Sequence, residues 1–415
     1  MRILIVTGKF PLLSQGFIKN KVIALAERGN YVTVMASNPG DDEIDRRTLS
    51  SLSPYLKIRY ILSEDGVVLR VLRLPLLFLQ ALYHDLGYTL RLVGALRKRV
   101  GFGKNFVKKL YRLLPFAGVH TDILHFEWAT KAAEYAELVK LIPSRTVMSC
   151  RGSDIRIMPL NNPRLVEDIY WLFSEVDRVH CVSEAVLSTA RDYGLDERKA
   201  FINYPSVDSN FFCPPRNNFR KSGTAIRIIT TGRLHWVKGF DYALKAIRLL
   251  LDRRRLVRYT IIGDGDNDSK AQILFSIKDM NLQEVVEVLG PRPREGVLDV
   301  LSKSDIYLLS SLSEGLSNSV LEAMAMELPV VTTDAGGMAE AVRDGTDGFV
   351  VPSRDAEKMA NSLDRLIQDE QLRLQMGRNG RKHIIENFTI EKQIERFINF
   401  YESLLQEGKE SGNIS

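Results

Sequence analysis

The sequence predicts an α/β protein made of two doubly wound domains, each with a parallel sheet covered by helices on both faces. Short β-type runs alternate with helical patterns along the whole chain, as they do in sheets of this kind. At 415 residues the chain is also too long for one hydrophobic core and fits two domains. Its composition, 45% apolar and 26% charged, is ordinary for a globular protein.

The β-type runs fall into two groups. In the first half they are residues 2–7, 31–36, 123–126, 146–149 and 178–182, and in the second half residues 226–231, 259–263, 306–310 and 330–333. Helical patterns such as 241–251 and 356–366 fill the intervals. Both halves are therefore predicted to be Rossmann-like, and a ligand is expected beyond the carboxyl ends of their strands.

A break in this alternation marks the predicted domain boundary. Residues 212–218 hold two prolines followed by polar residues, and a fresh first strand begins at Ile226. We predict an N-terminal domain over residues 1–212 and a C-terminal domain over residues 213–388. Residues 389–415 contain an amphipathic helix at 390–405, which could pack back on the N-terminal domain.

Cysteine usage and hydropathy limit the cellular setting. The three cysteines, Cys150, Cys181 and Cys213, are widely spaced and odd in number, so we expect neither a disulfide framework nor a zinc cluster. A reducing cytosol fits best. The apolar run at 1–6 is typical of a buried first strand rather than a signal peptide. The longest uncharged apolar stretch, 74–84, is too short to cross a bilayer.

One segment, residues 67–115, is strongly basic. It carries ten Lys or Arg residues and one acidic residue, Asp85, interleaved with leucines and phenylalanines. A basic amphipathic segment suits an anionic membrane surface. The alternative is a group of domain helices with a solvated basic face. No nucleic-acid-binding motif accompanies the charge, so we do not expect a nucleic acid partner.

The loop after the predicted strand 226–231 contains the first chemical motif, Gly-Arg-Leu-His-Trp-Val-Lys-Gly at 232–239. Arg233 and Lys238 can both reach a diphosphate from this loop. The helix that follows adds its positive N-terminal end. Taken alone, two such cations are more often simply solvated.

The second motif places two carboxylates, Glu314 and Glu322, eight residues apart after the predicted strand 306–310. Backbone N–H groups of Gly315 to Ser317 would face a phosphate at the start of the next helix. Glu322 also has a structural alternative, because Ser319 and Glu322 have the spacing of a capping box. A third motif, Gly-Gly-x-x-Glu at 336–340, permits a tight turn.

In order and spacing, these three motifs resemble family 4 glycosyltransferases of the GT-B fold. The likeness covers most of residues 225–352, including the continuation of the second motif to Val331. It implies that domain 213–388 binds a nucleotide-sugar donor and that domain 1–212 lies on the acceptor side. It also implies transfer with retention of the anomeric configuration, without a metal and without a cofactor.

The resemblance assigns roles residue by residue. Arg233 and Lys238 would grip the donor diphosphate, and Glu314 would face the donor sugar as the third catalytic residue. Glu322 would hydrogen-bond the ribose hydroxyls. Further donor-binding positions are Gly265, Gly315, Leu316, Ser317 and Asn318.

Asp264-Gly265-Asp266 matches the Asp-x-Asp signature that binds metal in the other main glycosyltransferase fold. Here it follows a strand of a GT-B-like domain, where the family often has a Gly-x-Gly turn. We therefore predict a turn near the nucleotide base and no metal site.

The N-terminal domain resembles the family less closely. Residues 10–18 are similar to the Phe-Pro-x-x-Ser-x-x-Phe-Ile opening of colanic-acid-type members, which build bacterial exopolysaccharides. Gly8 and Gly16 could let the backbone approach the donor, with Ser14 as a helix cap being the structural alternative.

Three further residues are candidates for the acceptor side: His125, Arg151 and Asp154. His125 ends a predicted strand, where a lone histidine is more often structural. Arg151 stands where related members commonly carry the histidine of a His-Gly-x-Asp run. Arginine cannot act as a base at neutral pH, but it can donate hydrogen bonds to a sugar hydroxyl or phosphate.

The resemblance thus implies sugar transfer from a nucleotide-diphosphate donor to a lipid-linked or polysaccharide acceptor in cell-surface glycan synthesis. The expected location is cytoplasmic, with peripheral contact at the inner face of the cytoplasmic membrane. A sugar-nucleotide epimerase of the same fold and a non-catalytic nucleotide-sugar-binding protein are the alternatives. The sequence leaves the donor base, the sugar and the acceptor open.

Overall fold

The computed structural model describes residues 1–12, 15–44, 46–61, 67–215 and 225–412. The chain forms two compact units. The first comprises Met1–Cys181, Leu187–Asn203 and the chain from Ile394 onward. The second comprises Val182–Val186 and Tyr204–Gln393.

The first unit is built on a sheet of seven strands. They are β1 Arg2–Phe10, β2 Tyr31–Pro39, β3 Leu56–Tyr60, β4 Ile123–Phe126, β5 Arg145–Cys150, β6 Arg178–Cys181 and β7 Ala200–Ile202. Their order is β3-β2-β1-β4-β5-β6-β7, and every pairing is parallel. The order reverses between β1 and β4, which is the topological switch point of a doubly wound sheet.

Helices connect these strands. They are α1 Gly16–Glu27, α2 Arg46–Ser51, α3 Val67–His84, α4 Leu86–Val100, α5 Lys104–Leu113, α6 Ala129–Glu134, α7 Leu138–Leu141, α8 Ser153–Arg156, α9 Pro163–Glu175 and α10 Glu184–Asp192. Parallel strands need such crossover connections, because a short hairpin can join only antiparallel neighbours.

The second unit repeats this architecture with six parallel strands. They are β8 Ile226–Thr231, β9 Val257–Ile262, β10 Val286–Gly290, β11 Ile306–Leu309, β12 Val330–Thr333 and β13 Gly348–Val351, in the order β10-β9-β8-β11-β12-β13. Its switch point lies between β8 and β11. Ile228 and Ile229 enter different apolar clusters, because successive side chains of a strand point to opposite faces. Both faces of the sheet are therefore covered.

The helices of the second unit follow the same alternation. They are α11 Phe240–Asp252, α12 Asn267–Asp279, α13 Arg294–Ser302, α14 Asn318–Ala325, α15 Met338–Ala341, α16 Ala356–Gln368 and α17 Glu370–Asn387. The last helix, α18 Ile390–Gly412, belongs to the first unit from Ile394 onward, and it buries Ile394, Phe397, Tyr401 and Leu404. Their i, i+3, i+7, i+10 spacing is the apolar stripe of an amphipathic helix.

All nine predicted strands are present, and the predicted doubly wound class is confirmed. The prediction missed β3, β7, β10 and β13, which are the two edge strands of each sheet. The sequences of β3 and β10 alternate apolar and charged residues, and β7 has only three residues, so none of these three shows a continuous apolar run of ordinary strand length. Among the described helices, none combines the length and apolar character that crossing a membrane requires.

Candidate functional site

Two loops meet at the switch point of the second unit, one after β8 and one after β11. Leu312 N–H donates to the Val237 carbonyl at 2.7 Å, and the Ser310 hydroxyl donates to the Lys238 carbonyl at 2.9 Å. Gly239 permits this approach. Its φ is 61°, and a Cβ there would lie 2.2 Å from the Ser310 carbonyl oxygen. Only glycine fits both requirements.

The contact between these loops brings together two predicted site residues. Lys238 Nζ lies 2.6 Å from Glu314 Oε1, and the Ser311 hydroxyl donates to the same oxygen at 2.6 Å. The two charged side chains are 17% and 12% exposed, so water screens the pair only partly. Arg233 is exposed, and no hydrogen bond or ion pair of its side chain occurs among the described residues.

The helix α14 begins directly after this pair. Its N-cap is Ser317, whose hydroxyl contacts the Ser319 hydroxyl at 2.9 Å. Ser319 also accepts from Tyr307 Oη at 2.7 Å. Since Ser319 already lies inside the helix, the capping box with Glu322 does not form. Glu322 is thus not explained by helix capping.

The peptide that enters α14 is held in a fixed orientation. The Gly315 carbonyl accepts from Gly337 N–H at 2.8 Å and from the Ser183 hydroxyl at 3.1 Å. Leu316 N–H belongs to the same peptide and points the opposite way. Within the described part of the chain, the N–H groups of Gly315, Leu316 and Ser317 bind no acceptor. They are donors available at a helix N-terminus.

Glu322 is partly buried in α14, and its carboxyl group makes no hydrogen bond to another described residue. Desolvation raises its pKa to about 7, and the positive charge of Arg294 opposes part of this rise. Arg294 is itself held by Asp208 at 3.1 Å and lies 3.9 Å from the Phe211 ring centroid. Nearby Asn318 Oδ1 is buried without a partner among the described residues.

The loop after β9 packs on the loop after β8. A Cβ at Gly265 would lie 2.2 Å from the Leu234 carbonyl oxygen. Asp266 caps α12 by accepting from Ser269 N–H at 2.7 Å, and Asp264 pairs with Lys270 at 2.5 Å. Both carboxylates of the Asp-x-Asp run therefore have structural partners. The described residues contain no cluster of three His, Cys, Asp or Glu side chains that could hold a metal ion.

The Gly-Gly-x-x-Glu motif has a supporting role. A Cβ at Gly337 would lie 2.5 Å from the Gly315 carbonyl oxygen, so glycine lets this turn lie against the start of α14. Glu340 accepts from the backbone N–H groups of Glu184 and Ala185 at 2.7 and 2.9 Å. Its carboxylate thereby stabilises the positive N-terminal end of α10.

In the first unit, His125 belongs to a buried chain of hydrogen bonds. The chain links Tyr401 Oη to His125 Nδ1 at 2.5 Å, His125 Nε2 to Ser149 Oγ at 2.7 Å, and Ser149 Oγ to His180 Nδ1 at 2.8 Å. The last hydrogen bond of the chain joins His180 Nε2 to the Asn203 carbonyl oxygen at 2.8 Å. A carbonyl only accepts, so each bond must run in one direction, from Tyr401 towards Asn203, with both histidines neutral.

Burial agrees with that assignment. It lowers the pKa of His125 well below its usual value and that of His180 to about 3. Both ring nitrogens of His125 are engaged by protein groups and the side chain is fully buried. These contacts favour the structural role that the sequence left open for His125.

Arg151 and Asp154 are also engaged within the first unit. Arg151 Nη2 pairs with Glu127, and its guanidinium lies 4.4 Å from the Phe17 ring centroid. Glu127 is bound from the other side by Lys21 at 2.6 Å, and the two cations hold its pKa well below the usual value. Buried Asp154 accepts from the N–H groups of Ala129 and Arg151 at 3.0 and 2.9 Å.

Sequence analysis did not identify Lys21, Glu127, Ser149, His180 or Tyr401 as members of this cluster. The two predicted glycines, Gly8 and Gly16, have no neighbour that would exclude a side chain. Gly8 lies within β1, and a Cβ there would make an ordinary 3.5 Å contact with Lys131. Gly16 is the first residue of α1, and a Cβ there would have no neighbouring atom within 4 Å. Local packing therefore does not require glycine at either position. Ser14 lies outside the described residues.

The chain is similar in sequence to known glycosyltransferases. Residues 215–383 match the family model described as "Glycosyl transferases group 1". The chain is 26% identical to the amylovoran biosynthesis glycosyltransferase AmsK of Erwinia amylovora, over 89% of this chain and 91% of that protein. It is 26% identical to WcaL of Escherichia coli (strain K12), a glycosyltransferase named for colanic acid biosynthesis, over 86% and 88%.

Among solved structures, the chain is similar to Anabaena Alr3699/HepE in complex with UDP-glucose. The TM-score is 0.72 at 16% identity, over 97% of this chain and 100% of that one. A sucrose-phosphate synthase from Thermosynechococcus elongatus gives a TM-score of 0.73 at 15% identity, over 98% and 100%. The predicted GT-B fold and the predicted resemblance to glycosyltransferases are confirmed.

Replacement of Gly239 by alanine tests the contact between the loops after β8 and β11. Gly239→Ala forces a Cβ against the Ser310 carbonyl and a positive φ on alanine. We expect it to lower the free energy of unfolding by about 2–4 kcal/mol in urea titrations. Gly94→Ala is the control, because a Cβ there meets nothing within 4 Å inside α4. Equal stability of the Gly239→Ala variant and the wild type would contradict the close approach.

The buried histidines predict a specific pH dependence of stability. The pKa of His180 is depressed when folded, so below about pH 6.5 the unfolded chain binds a proton that the native state does not. Stability should therefore fall as pH decreases from about 6.5 towards 3, by up to about 1.4 kcal/mol per pH unit for this histidine.

His180→Gln retains one acceptor and one donor but does not titrate. Its urea-unfolding free energy should depend on pH less steeply than that of the wild type between pH 6.5 and 4, by about 1.4 kcal/mol per unit. His120→Gln, which removes an exposed histidine, is the control. Parallel pH profiles for His180→Gln and the wild type would show that His180 is not held neutral.

Proposed function

We propose that this glycosyltransferase moves a sugar from a nucleoside-diphosphate donor to a lipid-linked or polysaccharide acceptor in cell-surface glycan synthesis. The contact between the loops after β8 and β11 carries this proposal. It orders Lys238 against Glu314, and Arg233 stays exposed on the same loop. The UDP-glucose complex of HepE supports the donor class, and the names of AmsK and WcaL support the acceptor class.

The proposed chemistry uses these two cations on the leaving group. The bond between the sugar anomeric carbon and the diphosphate oxygen breaks, and its electron pair stays on the diphosphate. Arg233 and Lys238 would stabilise the resulting charge, as fixed donors do in oxyanion-type sites. The acceptor hydroxyl oxygen would bond to the same face of the anomeric carbon, giving retention. Its proton would pass to the departing diphosphate oxygen, so neither a metal nor an enzymic base is required.

The start of α14 would bind the remainder of the donor. The N–H groups of Gly315, Leu316 and Ser317, which bind no acceptor among the described residues, suit a phosphate or sugar oxygen, with the helix N-terminus adding positive potential. Buried Asn318 Oδ1 is an acceptor for a sugar hydroxyl. The Glu322 carboxylate would accept from the ribose hydroxyls, and Gly265 would leave room for the base.

On the acceptor side we propose a different assignment for His125, Arg151 and Asp154. Protein groups engage both ring nitrogens of His125, both carboxylate oxygens of Asp154, and Nε and Nη2 of Arg151. These residues would therefore position the strand ends of the first unit rather than touch the acceptor. With the proposed lipid-linked or polysaccharide acceptor, the protein would work at the inner face of the cytoplasmic membrane.

Removal of Lys238 tests the leaving-group role. We expect Lys238→Ala to lower sugar-nucleotide turnover by about 10²–10³-fold, and Lys238→Arg to recover part of the loss. The donor is first chosen from UDP-, GDP-, ADP- and dTDP-sugars by the rise in Tm each produces. Lys303→Ala, which breaks an exposed ion pair with Asp299, is the control.

The products separate the alternative functions. Transfer to an acceptor extract, with release of the nucleoside diphosphate, supports the proposal. Epimerised sugar nucleotide formed without acceptor would identify an epimerase. A donor that raises Tm but is never consumed would identify a binding protein.

Glu322 predicts a pH dependence of donor binding. Because its pKa is raised to about 7, the carboxyl is partly protonated near neutral pH. Bonds from ribose hydroxyls would favour the carboxylate, so the donor Kd should decrease as pH rises from about 6 to 8. Glu322→Gln should weaken binding by about tenfold and flatten this profile. A Glu322→Gln variant with the wild-type Kd and pH profile would exclude the ribose contact.

A further inference from the structure

The helix α3 is amphipathic, with Arg70, Arg73, Gln80 and His84 along one polar stripe, and only one side of the helix is covered. It packs on α4, on α5 and on the turn at Leu114–Phe116, and Ala81 on this side is fully buried. The opposite side carries five large apolar side chains: Leu69, Leu72, Leu76, Leu79 and Tyr83. Their i, i+3, i+7, i+10, i+14 spacing places them on one stripe of the helix.

This stripe is exposed to an unusual degree. The side chains from Leu69 to Tyr83 are 47%, 66%, 63%, 63% and 88% accessible. Leu86 and Leu90, one turn apart on the next helix α4, are also exposed, at 57% and 61%. Single exposed leucines are ordinary, but seven large exposed apolar side chains on two consecutive helices indicate a surface that is covered by a partner. We call these seven residues the leucine surface.

The charges next to the leucine surface have one sign. Arg91, Arg97 and Lys98 on α4 are exposed, as are Lys104 and Lys108 on α5. The single acidic residue of segment 67–115, Asp85, is occupied as the N-cap of α4, where it accepts from Tyr88 N–H at 2.7 Å. The exposed cations are therefore not neutralised by their own segment.

Three other cations of the basic segment have a different role. Lys109 and Arg99 pair with Glu137 at 2.5 and 3.2 Å, and Arg112 pairs with Glu134 at 2.8 Å. These cations hold α5 and the end of α4 to the rest of the first unit. The basic segment thus contains ion-paired cations that serve the fold and exposed cations on the two helices that follow α3.

We propose that the leucine surface inserts into an anionic lipid bilayer, with the adjacent cations on lipid phosphates. An in-plane helix of this kind buries its apolar face about 5–10 Å into the headgroup and acyl boundary. A second copy of this chain is a poorer occupant, because it would bring equal positive charge against the same surface. The inference deepens the proposed function, since it sets where a lipid-linked acceptor would be met.

Vesicle flotation tests the proposal with the full chain. The probes are phosphatidylcholine vesicles with and without phosphatidylglycerol. We expect binding to the anionic vesicles that weakens but persists at high salt, because insertion is not screened as charge contact is. The triple variant Leu72→Gln/Leu76→Gln/Leu79→Gln should bind the anionic vesicles with a partition coefficient at least about tenfold lower than that of the wild type.

Two further variants complete the design. Leu160→Gln/Leu256→Gln/Leu274→Gln removes three equally exposed leucines elsewhere and should bind as the wild type does. Arg97→Gln/Lys98→Gln/Lys104→Gln should lose the preference for anionic lipid. Circular dichroism shows whether each variant is folded. The rise in Tm with the best sugar nucleotide should be unchanged in all of them, which separates this proposal from donor binding.

Three results would overturn the proposal. The first is wild-type binding that disappears entirely at high salt, which indicates surface charge without insertion. The second is equal vesicle binding by the leucine triple variant and the wild type. The third is a dimer, seen by sedimentation without vesicles, that the same variant dissociates, since the surface would then belong to a second copy.

Discussion

The close approach of two loops at the switch point of the second sheet is the constraint on which the candidate donor site depends. Gly239 lets the loop after β8 lie against the Ser310 carbonyl, and that contact sets Lys238 beside Glu314. Two partly desolvated charges are favourable only with good geometry and further hydrogen bonds, and the Ser311 hydroxyl supplies one. The lysine is therefore ordered before any ligand arrives. Less conformational entropy remains to be lost when an anion binds.

The first unit depends on a buried polar cluster of a different kind. Its hydrogen bonds run in one direction from Tyr401 to the Asn203 carbonyl, so a proton added to either histidine would break the order. The Tyr401 hydroxyl comes from α18, the last helix, while His125 lies at the end of β4. A single polar chain thus ties the end of the polypeptide to the centre of the sheet. Burying polar groups is costly unless each of them has a hydrogen-bond partner. In this hydrogen-bond chain, every ring nitrogen of His125 and His180 has one.

These two regions explain what the sequence could predict. The central strands and the loop motifs are local in sequence: an apolar run or a Gly-x-Glu spacing is complete within a dozen residues. The polar cluster is not local, because Lys21 meets Glu127 across 106 positions and His125 meets Tyr401 across 276. A single lysine in α1 or tyrosine in α18 leaves no local pattern. Arg151 stands out in the sequence only as a departure from a family motif, and its partner Glu127 belongs to no recognisable motif. The leucine surface was visible as composition, but which face of α3 is covered depends on packing.

The two carboxylates of the second motif show that the spacing of residues in the sequence does not determine which contacts their side chains make. Glu314 and Glu322 are eight residues apart, yet one lies against a lysine and a serine while the other makes no hydrogen bond to the described residues. Desolvation destabilises the charged form of the Glu322 carboxyl group. New hydrogen-bond donors from a ligand would therefore stabilise the Glu322 carboxylate more than that of Glu314. A ligand that brings two hydroxyls to Glu322 and an anion to Lys238 would satisfy both positions at once. A nucleoside diphosphate has these groups at its two ends. In the proposed function, that anion would compete with Glu314 for Lys238, and this competition would set how the sugar is presented to the acceptor.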